Sequence, residues 1–173
     1  MRRRAGVVLV TALLLAATAC SSNDDQPGGT EAPLQTKKKA DVEALARQQF
    51  ESVAQLAGGE LIGWEARTAA CQGKNGELAD DGRWNLTAFA TVKLPADKHV
   101  AALRAVHDTW VGQKWEIVDY RTLSDGVRGT LSGRDPASGN SISVDSSRPP
   151  VQLSLNLGSA CYQPAPGEDP ANS

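Results

Sequence analysis

Histidine is scarce in this chain, which has only His99 and His107, and methionine occurs once. Nowhere does an apolar run approach the roughly 20 residues that a membrane-spanning helix needs. The two histidines stand eight positions apart and cannot form an H-x-x-x-H ligand pair. C-x-x-C spacing, an EF-hand ladder of aspartates, the G-x-x-x-x-G-K-[ST] phosphate loop and the G-x-S-x-G nucleophile turn are all missing. Basic residues hold no excess, since 18 Lys and Arg face 20 Asp and Glu. Such a balance gives no electrostatic footprint for nucleic acid. The composition therefore points to no cofactor, no metal and no catalytic residue.

What is present begins at the N-terminus. Arg2, Arg3 and Arg4 form a positive lead, and residues 6–19 form an apolar stretch too short to cross a bilayer. The pattern is that of a signal peptide over residues 1–19. Its removal leaves 15 basic residues against 20 acidic ones, so the exported chain is more acidic than the whole.

The apolar stretch stops at Cys20, after the small residues Ala17, Thr18 and Ala19, and turns at once into SSNDDQPGG. This border resembles the lipobox of bacterial lipoproteins. The resemblance implies that Cys20 becomes the mature N-terminus, carries palmitate-class acyl chains and holds the chain on the extracytoplasmic face of the cell membrane. Ala17, Thr18 and Ala19 also satisfy the A-x-A rule of ordinary signal peptidase, which would release a secreted chain without lipid. With Cys20 lipidated, Cys71 and Cys161 remain as a pair, and outside the cytosol a disulfide is the expectation for them.

Residues 20–39 read as the lipidated cysteine and a flexible tether, rich in Ser, Asp, Gly and Pro and lacking apolar periodicity. Sixteen such residues reach about 20 to 24 Å. Lys37, Lys38 and Lys39 close the tether and could touch anionic headgroups or simply lead, solvated, into the first helix.

A folded domain is expected over residues 40–162. Val42, Leu45, Ala46, Val53 and Leu56 form a helical stripe interrupted by Gln49, and Gly58-Gly59 marks its stop. Residues 61–71 suggest a strand, and residues 84–94 alternate cleanly with Trp84, Leu86, Ala88, Ala90 and Val92 on one face. After Pro95, Asp97 is the expected cap of a second helix carrying Val100, Leu103, Val106, Trp110 and Val111, with Gly112 as its end. Strands are expected at 115–123, 127–133, 141–145 and 151–157, with turns at Asp125-Gly126 and at the DPASGN stretch. This order gives an α+β fold, a two-layer sandwich of an antiparallel sheet with two helices packed on one face. Residues 163–173 offer little to bury and read as a disordered tail.

Taken together, the lipobox, the tether, a Trp-bearing strand ending at Cys71, an alternating strand, a second helix and the SLNLGSACYQP ending resemble small actinobacterial lipoproteins of the LppA and LppV type. The resemblance covers residues 40–162 and implies fold and location, not catalytic residues.

Candidates for chemistry are few. Glu77, Asp80 and Asp81 form an acidic loop without calcium spacing, and Ser159 lacks the context of a nucleophile. His99 and His107 are expected on the exposed side of the second helix. Four of the eight aromatic residues are Trp. Trp84 and Trp110 fall on inward patterns, whereas Trp64 and Trp115 stand at strand starts and, with Tyr120 and Arg121, are the candidate interaction patch.

Three readings follow. The leading one is a membrane-anchored, non-enzymatic module of the cell envelope that binds a protein or other envelope component, for which an exposed Trp or Tyr on the open sheet face would speak. A face of only Thr, Ser, Lys and Glu would speak against it. The alternative is a carrier of a lipid or other apolar ligand between sheet and helices, needing a cavity of at least about 300 Å³ lined by Leu, Val and Trp. A hydrolase would require a histidine paired with a carboxylate inside a cleft.

Overall fold

The computed structural model describes residues 34–73 and 75–172. The expected signal segment, Cys20 and the tether up to residue 33 lie outside them.

Helix α1 spans Lys39–Ala57. Val42, Ala46, Phe50 and Val53 repeat at three- and four-residue steps and bury one face. Phe50 is fully buried although it lies off the stripe expected from the sequence, and Gln49 beside it is half-buried. The helix ends where expected, at Gly58, whose φ of 69° suits glycine. There Gly58 N–H donates to Gln55 C=O and Gly59 N–H to Ala54 C=O.

Strands β1 (Thr36–Lys37), β2 (Glu60–Ala70) and β3 (Trp84–Lys93) precede helix α2 (His99–Gly112). Strands β4 (Glu116–Thr122), β5 (Gly129–Arg134), β6 (Ser141–Ser146), β7 (Gln152–Gly158) and β8 (Gln163–Pro164) follow. Six of these strands form an antiparallel sheet in the order β2-β3-β7-β6-β5-β4. The fold is the expected α+β sandwich. Alternation places Trp84, Leu86 and Val92 of β3 with Leu153, Leu155 and Leu157 of β7 on the inner face, all buried. Each such side chain contributes about 1.5 to 3 kcal/mol on burial. A bulge between Ile62 and Glu65 interrupts the alternation in β2, where Gly63 takes φ 65°. Trp64 thereby turns inward and meets Phe50 edge-on at 5.7 Å.

Helix α2 differs from expectation at both ends. A 3-10 turn, Ala96–Lys98, precedes it, and Asp97 makes no capping hydrogen bond; Lys98 N–H bonds Pro95 C=O instead. Gly112 lies inside the helix, and the left-handed position falls on Lys114, φ 64°. Trp115 N–H bonds Trp110 C=O and Lys114 N–H bonds Val111 C=O, the bonding pattern of a glycine-ended helix with lysine in glycine's place. A left-handed lysine costs about 1 kcal/mol, and added glycine entropy offsets part of any relief. Lys114→Gly is therefore expected to stabilise by about 0.5 kcal/mol, read from the urea midpoint; a lower midpoint would contradict this account.

The ends of the domain extend beyond the expected boundaries. Thr36 and Lys37 pair in parallel with Gln163 and Pro164, so the segment read as tether already contains a strand. The tail expected to be disordered is folded through Asn172. Ala165 and Pro170 are buried, Pro170–Asn172 forms a 3-10 turn, and a Glu168 carboxylate oxygen accepts from Lys39 N–H at 3.0 Å. That carboxylate serves the first turn of α1, which has no side-chain cap of its own. A disulfide joins Cys71, at the end of β2, to Cys161.

Candidate functional site

The residues expected to form one patch are distributed by the fold. Trp64 lies in β2, the first strand of the sheet, and Trp115 immediately precedes β4, the last. Five strand spacings, about 24 Å, separate those two strands. Tyr120 and Arg121 are consecutive in β4 and point to opposite faces. The Tyr120 ring lies inward, stacked on His107 of α2 at 4.1 Å. The Arg121 guanidinium is exposed on the outer face and pairs with Asp119 at 3.4 Å. Trp64 and Trp115 are half-buried and face other aromatic rings, so neither is the exposed anchor expected from its place at a strand start.

Two of the concave regions among the described residues are candidates. The first is on the open face of the sheet, opposite the helices, a hollow of about 530 Å³. Phe89, 38% exposed, and Val118, 68% exposed, are its solvent-exposed apolar side chains. Ser132, Ser143 and Asn156 add hydroxyl and amide groups, and Glu116 stands opposite Arg134 in register. Neither Trp nor Tyr contributes to it. Phe89 is nevertheless an aromatic ring open to solvent on a central strand, placed there by the same alternation that buries Ala88 and Ala90.

The second is on the helix side, a cleft of about 390 Å³ between α1, the end of α2 and the turn after β5. Trp110 and Trp115 line it and stack on each other at 4.4 Å with 11° between planes. Glycine at position 133 lets the Trp110 ring pack close, since a Cβ there would meet Trp110 Cε3 at 3.0 Å. Gln49, the residue that interrupts the apolar stripe of α1, anchors the DPASGN turn in this cleft. Its Nε2 donates to Asp135 Oδ2 at 2.9 Å, and its Oε1 accepts from Asn140 Nδ2 at 2.8 Å. Asp135 also accepts from Ser138 Oγ–H at 2.7 Å and Ala137 N–H at 2.9 Å. Asn140 is fully buried, with Oδ1 lacking a hydrogen-bond partner. The polar residue within an apolar stripe was the signal in the sequence for this network, and its partner turn 86 positions away was not readable.

Neither histidine is exposed as expected, and His107 is half-buried against Tyr120. His99, which directly follows the 3-10 turn, is fully buried, contrary to the expected exposed position. Its Nε2 lies 3.1 Å from Leu94 C=O, an obligatory acceptor, so Nε2 carries the proton. Its Nδ1 then accepts from Ser146 Oγ–H at 3.1 Å, and Ser146 Oγ in turn accepts from Gly129 N–H. This chain of bonds ties the start of α2 to strands β5 and β6. His107 Nδ1 lies 2.9 Å from the exposed carboxylate of its neighbour Asp108. Neither histidine lines either of the two candidate regions.

Among the described residues no group of three or more His, Cys, Asp or Glu is arranged to hold a metal. In the acidic loop, Asp81 is engaged by the Arg83 guanidinium at 2.6 to 2.9 Å. That hydrogen bonding lowers the Asp81 pKa to about 2. Asp125 in the β4-β5 turn is lowered to about 2 by the Arg128 N–H, then by the Arg128 side chain and the Val127 N–H. Both groups favour the folded state above the ordinary carboxylate range near 4, and that contribution disappears as pH falls through about 2. Carboxyl ¹³C titration is expected to give midpoints near 2 for both; midpoints near 4 would contradict the hydrogen bonding.

No protein-family model, curated protein or solved structure matches this chain.

Proposed function

We propose that this chain is a non-enzymatic binding module of the cell envelope, anchored by lipid on Cys20, that engages a protein or other envelope component through the open face of its sheet. The observation that carries the binding surface is the hollow around Phe89 and Val118, an apolar centre within a hydroxyl- and amide-rich face left uncovered by both helices. The anchor is supported by the positive lead, the short apolar stretch and the small residues before Cys20. The resemblance to LppA- and LppV-type lipoproteins supports the same location. For the alternative, a carrier of an apolar ligand between sheet and helices, the helix-side cleft supplies the volume with Leu45, Trp110 and Trp115, but Gln48, Gln49, Gln113 and Asp135 in its walls disfavour an apolar ligand.

The test uses the full chain expressed in its source cells with a photo-crosslinking residue at Val118, at Asn156 or, as a control, at exposed Ala101 of α2. Adducts are expected from the first two positions and not from the third, with Phe89→Ala weakening them. Adducts from Ala101 alone, or none from the sheet face, would overturn this surface. Cys20→Ser is expected to move the chain from the membrane fraction to the medium; unchanged fractionation would refute the anchor.

A further inference from the structure

We infer that the helix-side cleft is a binding site in its own right, independent of the sheet face, and that its ligand is a neutral saccharide. Three properties of the cleft decide the ligand class. Its volume of about 390 Å³ lies in the range of small-molecule sites. Trp115, half-buried and stacked over buried Trp110, supplies its aromatic ring, and the electron-rich face of such a ring attracts the C–H groups on the apolar face of a sugar. The cleft walls supply both donors and acceptors, as adjacent hydroxyls require: the amides of Gln48 and Gln113 can donate and accept, and the carboxylate of Asp135 accepts.

The same residues argue against the competing ligands. Lysine and arginine are missing from the lining, and Asp135 contributes a negative charge, so an anion is opposed. The two rings are parallel at 11° and present a stack, not the enclosing cage that recognises a quaternary ammonium. A proline-rich peptide needs a groove walled by separate aromatic ridges, which one stack does not supply. A purely apolar ligand would strip water from the Gln48 and Gln113 amides and the Asp135 carboxylate without replacing those hydrogen bonds.

The Asp135 side of the cleft is held in advance of any ligand. Three donors, from Gln49, Ser138 and Ala137, orient the Asp135 carboxylate and leave it capacity for a ligand hydroxyl. Buried Asn140 holds Gln49 from behind. Lysine in the left-handed position at 114 reverses the chain so that Trp115 returns onto Trp110. The amides of Gln48 and Gln113 are on exposed residues, and among the described residues neither side chain has a hydrogen-bond partner within the chain.

The experiment is calorimetric titration of the full chain with N-acetylglucosamine oligomers and with cello- and malto-oligosaccharides, followed in parallel by tryptophan fluorescence. Saturable binding with a Kd below about 1 mM is expected for at least one series. Gln113→Ala, on an exposed side chain, is expected to weaken it about tenfold, the worth of one hydrogen bond. Trp115→Phe is expected to weaken it at least as much while the melting transition is kept, and Phe89→Ala on the sheet face should leave it unchanged. No saturable heat up to about 10 mM, or binding indifferent to Gln113→Ala and Trp115→Phe, would overturn the inference. So would binding of a proline-rich peptide or of choline in place of every saccharide. Because Phe89→Ala reports on the sheet face alone, failure here and failure of the sheet-face reading are distinguishable.

Discussion

Replacing Cys71 and Cys161 together by serine is expected to lower the unfolding free energy by about 4 to 5 kcal/mol. The bridge closes a loop across a sequence separation of 90 residues, and the chain-entropy model assigns that amount to a loop of this length. Domains of this size have a total stability of roughly 5 to 15 kcal/mol, so the loss is a large fraction of the whole. Position adds to the effect. Cys161 precedes Tyr162, whose main chain exchanges hydrogen bonds with Trp84 at 2.8 and 2.9 Å, so the bridge and this pair together hold the final segment to the start of β3. Urea unfolding of the double serine variant checks the figure. A loss below about 1 kcal/mol would mean that the unfolded chain is already restricted without the bridge.

Trp84→Ala is expected to cost about 3 to 5 kcal/mol, the range for a large aromatic removed from a packed core. Trp84 is fully buried at the first position of β3, and its ring tilts against Tyr162 at a centroid distance of 5.7 Å. Its indole Nε1–H is buried without an acceptor. A buried, unsatisfied donor costs about 1 to 3 kcal/mol. Trp84→Phe removes volume and also that penalty, so it is expected to cost no more than about 1 to 2 kcal/mol. Equal losses for the alanine and phenylalanine variants in urea unfolding would show that the N–H is satisfied in solution and that the account of this site is mistaken.

The candidate sites were less legible than the fold. Alternation in β3 and β7 could be read directly, because a period of two assigns a face to every residue once one face is apolar. It also placed Phe89 on the face opposite Trp84, although nothing in the string distinguished that ring as the centre of a hollow. Trp64 was misplaced because its orientation depends on a bulge at Gly63, which reverses the alternation within a single strand. Tyr120 and Arg121 were grouped by adjacency, whereas neighbours in a strand cannot share a face. Gln49 read as a break in a stripe, and it proved to be the residue that holds the 135–140 turn.

By itself the sequence determined the number and order of the principal helices and strands, the inward faces of β3 and β7, the stop of α1 at Gly58 and the pairing of Cys71 with Cys161. These follow from local periodicity, from glycine's access to the left-handed region and from the arithmetic of three cysteines. The tertiary structure alone decided the strand order, the burial of His99, the folding of residues 163–172 onto the domain and the meeting of Trp110, Trp115, Gln49 and Asp135 in one cleft. Each of these depends on contacts between segments far apart in the chain. For such contacts the deciding quantities are packing space and hydrogen-bond partners, and neither is written in the neighbouring residues.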